Sequence, residues 1–102
     1  MKEIDVQNSI RIALNPYAIV FRANVGTFRT TDGRMVSTGL PKGFSDLFGF
    51  RKSDGKMFFI EVKNKKGRLR ADQKHFIETM QRKGAIAGVA RSSEDAIELI
   101  RE

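Results

Sequence analysis

The run Met57-Phe58-Phe59-Ile60-Glu61-Val62-Lys63 ends an apolar stretch with an acid and a base two residues apart. In a strand, side chains alternate between faces, so Phe58, Ile60 and Val62 share one face while Glu61 and Lys63 leave together from the other. Burying either charge without a partner is costly. A lone Glu-x-Lys is ordinarily a salt bridge at a sheet rim, and such pairs contribute little. Here a third group joins them. Asp46 lies fifteen residues upstream of Glu61, at the start of the preceding predicted strand and just after the loop Gly39-Leu40-Pro41-Lys42-Gly43-Phe44-Ser45. A tight turn at Ser53-Asp54-Gly55 makes the two strands antiparallel neighbours, so Asp46 is expected beside Glu61. Two carboxylates held together repel unless a proton or cation intervenes. Oxygen donors of this kind suit hard cations such as Mg²⁺ or Mn²⁺.

Two more polar residues fall on apolar stripes. Gln73 precedes Phe76, Ile77 and Met80 by three, four and seven residues, which places it on the sheet-facing side of a helix. Glu3 shares a stripe with Gln7, Ile10 and Leu14. Each alone reads as an end-of-helix residue reaching solvent; together Glu3, Asp46, Glu61, Lys63 and Gln73 converge on one sheet edge. His75 lies off the apolar stripe of its helix and reads as incidental.

The elements that must position these groups follow from periodicity and punctuation. Residues 3–14 read as a helix, stopped at Asn15-Pro16 because proline disfavours helical geometry in the residue before it. Residues 17–23 read as a strand and 27–37 as a hairpin, with Asp32-Gly33 suited to a type I′ turn. Strands follow at 46–51 and 56–63. A helix over 71–83 ends at Gly84, a natural left-handed cap. A short strand at 86–90 and a helix over 92–101, with Ser92 or Ser93 as N-cap, complete the chain. The order α-β-hairpin-β-β-α-β-α predicts a mixed α/β domain with a central sheet flanked by helices.

Composition narrows the chemistry further. The 102 residues suit a single domain, 1–102. There is no Cys, which excludes disulfides, thiolate metal sites and cysteine nucleophiles; one His cannot supply a His-rich metal centre. No apolar run approaches the roughly 20 residues of a membrane span, and no signal-peptide pattern opens the sequence. A cytoplasmic protein is therefore expected. Against 12 Asp and Glu stand 19 Lys and Arg, a formal charge of +7, which favours a polyanionic partner. The surplus is concentrated in Lys63-Asn64-Lys65-Lys66-Gly67-Arg68-Leu69-Arg70, five cations in eight residues with no acid. If the polyanion is a nucleic acid, Lys65, Lys66, Arg68 and Arg70 would position phosphates, with Arg29, Arg34 and Lys42 as an opposite wall.

The combined string Asn24-Val25-Gly26, Gly39 through Asp46-Leu47, Phe59-Ile60-Glu61-Val62-Lys63, Gly67-Arg68-Leu69 and Gln73 closely resembles the virus-type replication-repair nuclease family (VRR-Nuc) of the PD-(D/E)xK nuclease superfamily. The resemblance spans nearly the whole chain. One departure is that Ser45, not Pro, precedes Asp46, with Pro41 further upstream. The resemblance implies a restriction-endonuclease-like core and a Mg²⁺- or Mn²⁺-dependent endonuclease. Asp46 and Glu61 would bind the metal with the Val62 backbone carbonyl, and Glu3 would contribute through water or a second metal. Lys63 would deprotonate the attacking water or, staying protonated, act electrostatically. Gln73 would position Lys63 or the water. Similar single-domain members are phage-encoded and resemble junction-resolving enzymes, which implies branched DNA, such as a four-way junction, and a homodimer to cut two symmetric strands. Ile4 and Ile12, off the main stripe of the first helix, are candidate dimer contacts. The competing expectation is a non-catalytic DNA-binding module on the same fold.

Overall fold

The computed structural model describes residues 1–101. Glu3–Leu14 form helix α1, which buries Val6, Gln7, Ile10 and Leu14 along one stripe. Ala18–Arg22 form β1, Thr27–Arg29 and Met35–Ser37 form β2 and β3, and Leu47–Arg51 and Met57–Val62 form β4 and β5. Helix α2 runs over Ala71–Arg82, strand β6 over Ile86–Ala90 and helix α3 over Ser93–Ile100. The order matches the sequence expectation, with boundaries differing by one or two residues.

Four strands form a mixed sheet in the order β1-β4-β5-β6, in which β5 and β6 are parallel and the other pairs antiparallel. The parallel pair is joined through α2, the kind of crossover a parallel connection requires. Alternation along β5 separates two environments. Phe58, Ile60 and Val62 join Val6, Ile10 and Leu14 of α1 and Ala96 and Ile100 of α3 in one apolar core. Phe59 faces the other way and meets Phe76 of α2 with ring centroids 5.5 Å apart. Phe44 packs against the same ring of Phe76 at 4.8 Å, so α2 is anchored on this face by aromatic contacts. Beyond α2 the face stays open, and Ile19, Phe21 and Met57 are each about two-fifths exposed.

Strands β2 and β3 pair with each other in a separate two-stranded ribbon. Its turn departs from the type I′ geometry expected at Asp32-Gly33. That geometry needs positive φ at both residues, and only Gly33 has it, at 88°. The Gly33 N–H donates to the Thr30 carbonyl at 3.0 Å, and the Thr30 N–H to the Arg34 carbonyl at 2.8 Å. The loop is thus one residue longer, a tight turn followed by a left-handed glycine. Asp32 keeps a negative φ, and its carboxylate accepts the Thr30 hydroxyl.

Candidate active site

The β4–β5 register pairs Leu47 with Ile60, and one step back it sets Asp46 opposite Glu61. Reciprocal hydrogen bonds tie the two residues together. The Asp46 N–H donates to Glu61 Oε1 at 3.2 Å, and the Val62 N–H donates to Asp46 Oδ2 at 2.9 Å. Each carboxylate is therefore oriented by the backbone of the other's strand. Asp46 is also fixed from behind, because its carbonyl accepts the Ala23 N–H at 2.8 Å. Ser45, which occupies the position before it, is buried and donates its hydroxyl to the Leu47 carbonyl at 2.9 Å. A side-chain hydrogen bond here shapes the approach to Asp46.

Glu61 is only 1% exposed, and its carboxyl is pushed up to about 8. Burial is the main cause; the Asp46 carboxyl, which shares its proton and repels its charge, is the next. The Lys63 ammonium acts in the opposite direction, which places its cation within electrostatic reach of Glu61. Lys63 continues the β5 face past the end of the strand. Its N–H donates to the Ala90 carbonyl at 3.1 Å, so its backbone is held by β6 while its stem is buried.

Two carboxyl groups held this close, one of them buried, suit a shared cation. Both donors are hard oxygens, so the residues present fit Mg²⁺ or Mn²⁺. Among the described residues no group of three or more Asp, Glu, His or Cys side chains is arranged to hold a metal. The donors on offer are two carboxylates, which a backbone carbonyl or water would complete.

Glu3 lies close by, on the side of the Lys63 stem. Its Oε2 is 2.9 Å from where a Cβ on Gly67 would stand, and the Lys63 Cδ is 3.2 Å from that same point. Glu3 therefore flanks the Lys63 stem across Gly67 and stands outside any three-carboxylate group. Gln73 is buried as expected from its stripe. Its Oε1 accepts the Arg70 N–H at 3.0 Å and so caps α2, which leaves its Nε2 group for any further partner.

The expected phosphate-binding cations Lys42, Lys65, Lys66, Arg68, Arg70, Arg29 and Arg34 are all exposed. Arg70 pairs with Asp72 at 3.2 Å and, with the nearby Lys42 cation adding to it, holds that carboxyl below its usual range. Lys42 and Arg70 thus both act on Asp72 at the start of α2, where the 39–45 loop packs so tightly that a Cβ on Gly43 would lie 2.5 Å from the Asp72 carbonyl. Arg34 is paired with Asp32 on the surface. His75 is exposed, in keeping with an incidental role.

Two residues beyond those expected, Asn64 and Arg91, shape the loop that follows Lys63. Asn64 Oδ1 accepts the Lys66 and Gly67 N–H groups, and Arg91 Nη1 donates to the Asn64 and Gly67 carbonyls at 2.7 Å each. This clamp fixes the curve of the basic loop. Gln7 is buried with its Oε1 unbonded, one turn below Glu3 on the same stripe. The position of Gln7 is legible from sequence, since it is, like Glu3, a polar residue on an apolar stripe. For Arg91 nothing local announces a bond to a loop twenty-four residues earlier.

Compared with known families, the VRR-NUC domain matches residues 30–94, nearly two-thirds of the chain. A solved structure described as a VRR_NUC domain is similar with a TM-score of 0.67 at 23% identity, over 96% of this chain and 92% of that one. A comparison with curated protein sequences found no match.

Proposed function

The chain belongs to the VRR-NUC domain family, a nuclease-family domain, and from that premise we propose that it is a divalent-metal-dependent DNA endonuclease. The observation that carries this reading is the reciprocal Asp46–Glu61 pair with Lys63 on the same face. Asp46 and Glu61, with the Val62 carbonyl or water, are the residues that would hold the cation. A bound Mg²⁺ or Mn²⁺ supplies polarisation of the scissile phosphate and a lowered pKa for water.

The chain's own residues do the rest. Lys63 faces the reacting phosphate, where it either accepts the proton of the attacking water or, charged, stabilises the negative charge that builds on the phosphoryl oxygens. Burial of its stem and the Ala90 bond to its backbone hold that group at one place. Gln73 Nε2 positions Lys63 or the water. Lys65, Lys66, Arg68 and Arg70 hold flanking phosphates. Branched DNA such as a four-way junction is the substrate in this reading, and a homodimer the acting form, since two symmetric incisions need two related sites. Ile4 and Ile12 of α1 are exposed and available for such contacts.

A cleavage assay on duplex, flap and four-way-junction DNA, with Mg²⁺, Mn²⁺ or EDTA, tests the proposal. Metal-dependent incision that is strongest on the junction and lost in Glu61→Ala is expected. DNA binding with no product under any condition would leave a non-catalytic binding module instead. Light scattering on the eluting protein, with a mass of one chain, would remove the dimer.

A further inference from the structure

Away from the carboxylate site, the β2–β3 ribbon stands apart from the rest of the fold. It pairs with neither edge of the main sheet, yet both of its ends are tied to the site. On one side, β1 runs into it through Ala23, whose N–H is bonded to the Asp46 carbonyl. On the other, the Thr38 N–H closes the ribbon onto the Gly26 carbonyl at 2.9 Å, and the 39–45 loop leads back to Asp46.

The ribbon's surface has a distinct chemistry. Phe28 is 52% exposed, and of the eight Phe residues it is the one carried by the ribbon. Phe21, Phe44, Phe48, Phe59 and Phe76 meet one another in ring contacts in which Phe28 takes no part among the described residues. The register sets Phe28 opposite Val36 on one face, and Arg29 opposite Met35 on the other. Arg22, Arg29 and Arg34 make the segment cationic, with Asp32 its acid. An exposed aromatic ring on a cationic ribbon matches the requirements of a nucleic-acid strand, which needs charge for its phosphates and a flat apolar surface for an unstacked base.

We propose that the β2–β3 ribbon is an arm on which a base left unstacked at a branch point beside the cleaved phosphodiester stacks, with Phe28 as the stacking platform and Arg29, on the ribbon's other face, adding only general attraction for phosphates. This rests on the nuclease reading and deepens it, because it names the interrupted base stack of a junction or flap next to the scissile bond as what the enzyme selects. Continuous duplex presents no such base, so Phe28 adds to affinity for branched or flapped DNA and not for duplex.

Fluorescence anisotropy in EDTA, with duplex and flap DNA, measures the preference of wild type, Phe28→Ala, Phe28→Tyr and Arg29→Ala. A flap carrying 2-aminopurine at its unpaired position reports stacking by quenching. Phe28→Ala is expected to weaken flap binding by about tenfold to a hundredfold, to leave duplex affinity within about twofold, and to abolish the quenching. Phe28→Tyr is expected to keep all three near wild type, and Arg29→Ala to weaken flap and duplex binding alike. Unchanged flap preference in Phe28→Ala, or quenching that survives it, overturns the arm. So does a change of oligomeric state with no change in DNA preference, which would make the ring a protein contact. If wild type cleaves DNA but never prefers the flap, the arm fails alone; if it neither binds nor cleaves any DNA, the nuclease reading fails with it.

Discussion

Glu61 holds its carboxyl at about 8 against an ordinary 4.5, through burial first and the Asp46 carboxyl second. Between those two values the folded protein keeps a proton that the unfolded chain has released, so stability falls as pH rises across that window and levels off above it. Melting in EDTA is therefore expected at a lower temperature at pH 8 than at pH 5.5. Glu61→Gln keeps the shape but has no proton to lose, so it removes this difference and melts higher than wild type at pH 8 while losing cleavage. Mg²⁺ or Mn²⁺ added to wild type at pH 8 replaces the proton and raises the melting temperature by mass action. A wild-type melting temperature that ignores both pH and metal would remove Glu61 from the cation site. Lys63→Met retains much of the buried stem and deletes the charge; cleavage is expected to fall by about 10²–10³-fold with little change in DNA affinity. A loss of affinity equal to the loss of cleavage would instead make Lys63 a binding cation.

Among the elements, α2 shows how one side chain serves both fold and site. Gln73 Oε1 caps the Arg70 N–H, and its burial beside the Phe59–Phe76 contact keeps the start of α2 against β5. Gln73→Ala is expected to lower stability by about 1 kcal/mol through the lost cap, and to reduce cleavage as well. Gln73→Glu preserves the cap acceptor but replaces the Nε2 donor with a buried acid; stability should fall only as rising pH ionises that acid, while cleavage is reduced throughout. Full activity in Gln73→Glu would confine Gln73 to capping. The same helix illustrates what was legible from sequence. Its stripe, its left-handed Gly84 and the buried position of Gln73 all follow from local spacing, as does the alternation that sets Glu61 and Lys63 on one face. The opposition of Asp46 and Glu61 followed from a short turn between two strands. The ribbon's turn did not follow, because Asp-Gly suits more than one loop and here only Gly33 of the two takes a positive φ. Nor did the Arg91 clamp on Asn64 and Gly67, which exists only once β5 and β6 lie parallel.

For the molecule as a whole, the charge of +7 acquires a direction from where the fold places its cations. The basic loop begins at Lys63, directly after the strand that carries Glu61, and Arg91 together with Asn64 holds its curve; in the proposed reading Lys65, Lys66, Arg68 and Arg70 meet the phosphates that flank the carboxylate pair. Their contribution to DNA binding is electrostatic and indifferent to base pairing, unlike that of the ribbon. Each phosphate neutralised releases counterions, so four such contacts give a slope of about −3.6 or steeper for log affinity against log salt. Lys65→Ala with Lys66→Ala, two exposed residues, is expected to make that slope shallower by about 1.8 and to weaken duplex and flap binding in parallel. Arg91→Ala releases the loop without removing a cation that faces the site. It should leave most of the slope but reduce cleavage, since the phosphates are still attracted yet no longer held in register with Asp46 and Glu61. Anisotropy titrations across a salt series, alongside single-turnover cleavage, separate these effects. A double lysine variant that keeps the wild-type slope would move the DNA path away from this loop, and with it the account of how a strongly basic surface feeds an acidic site.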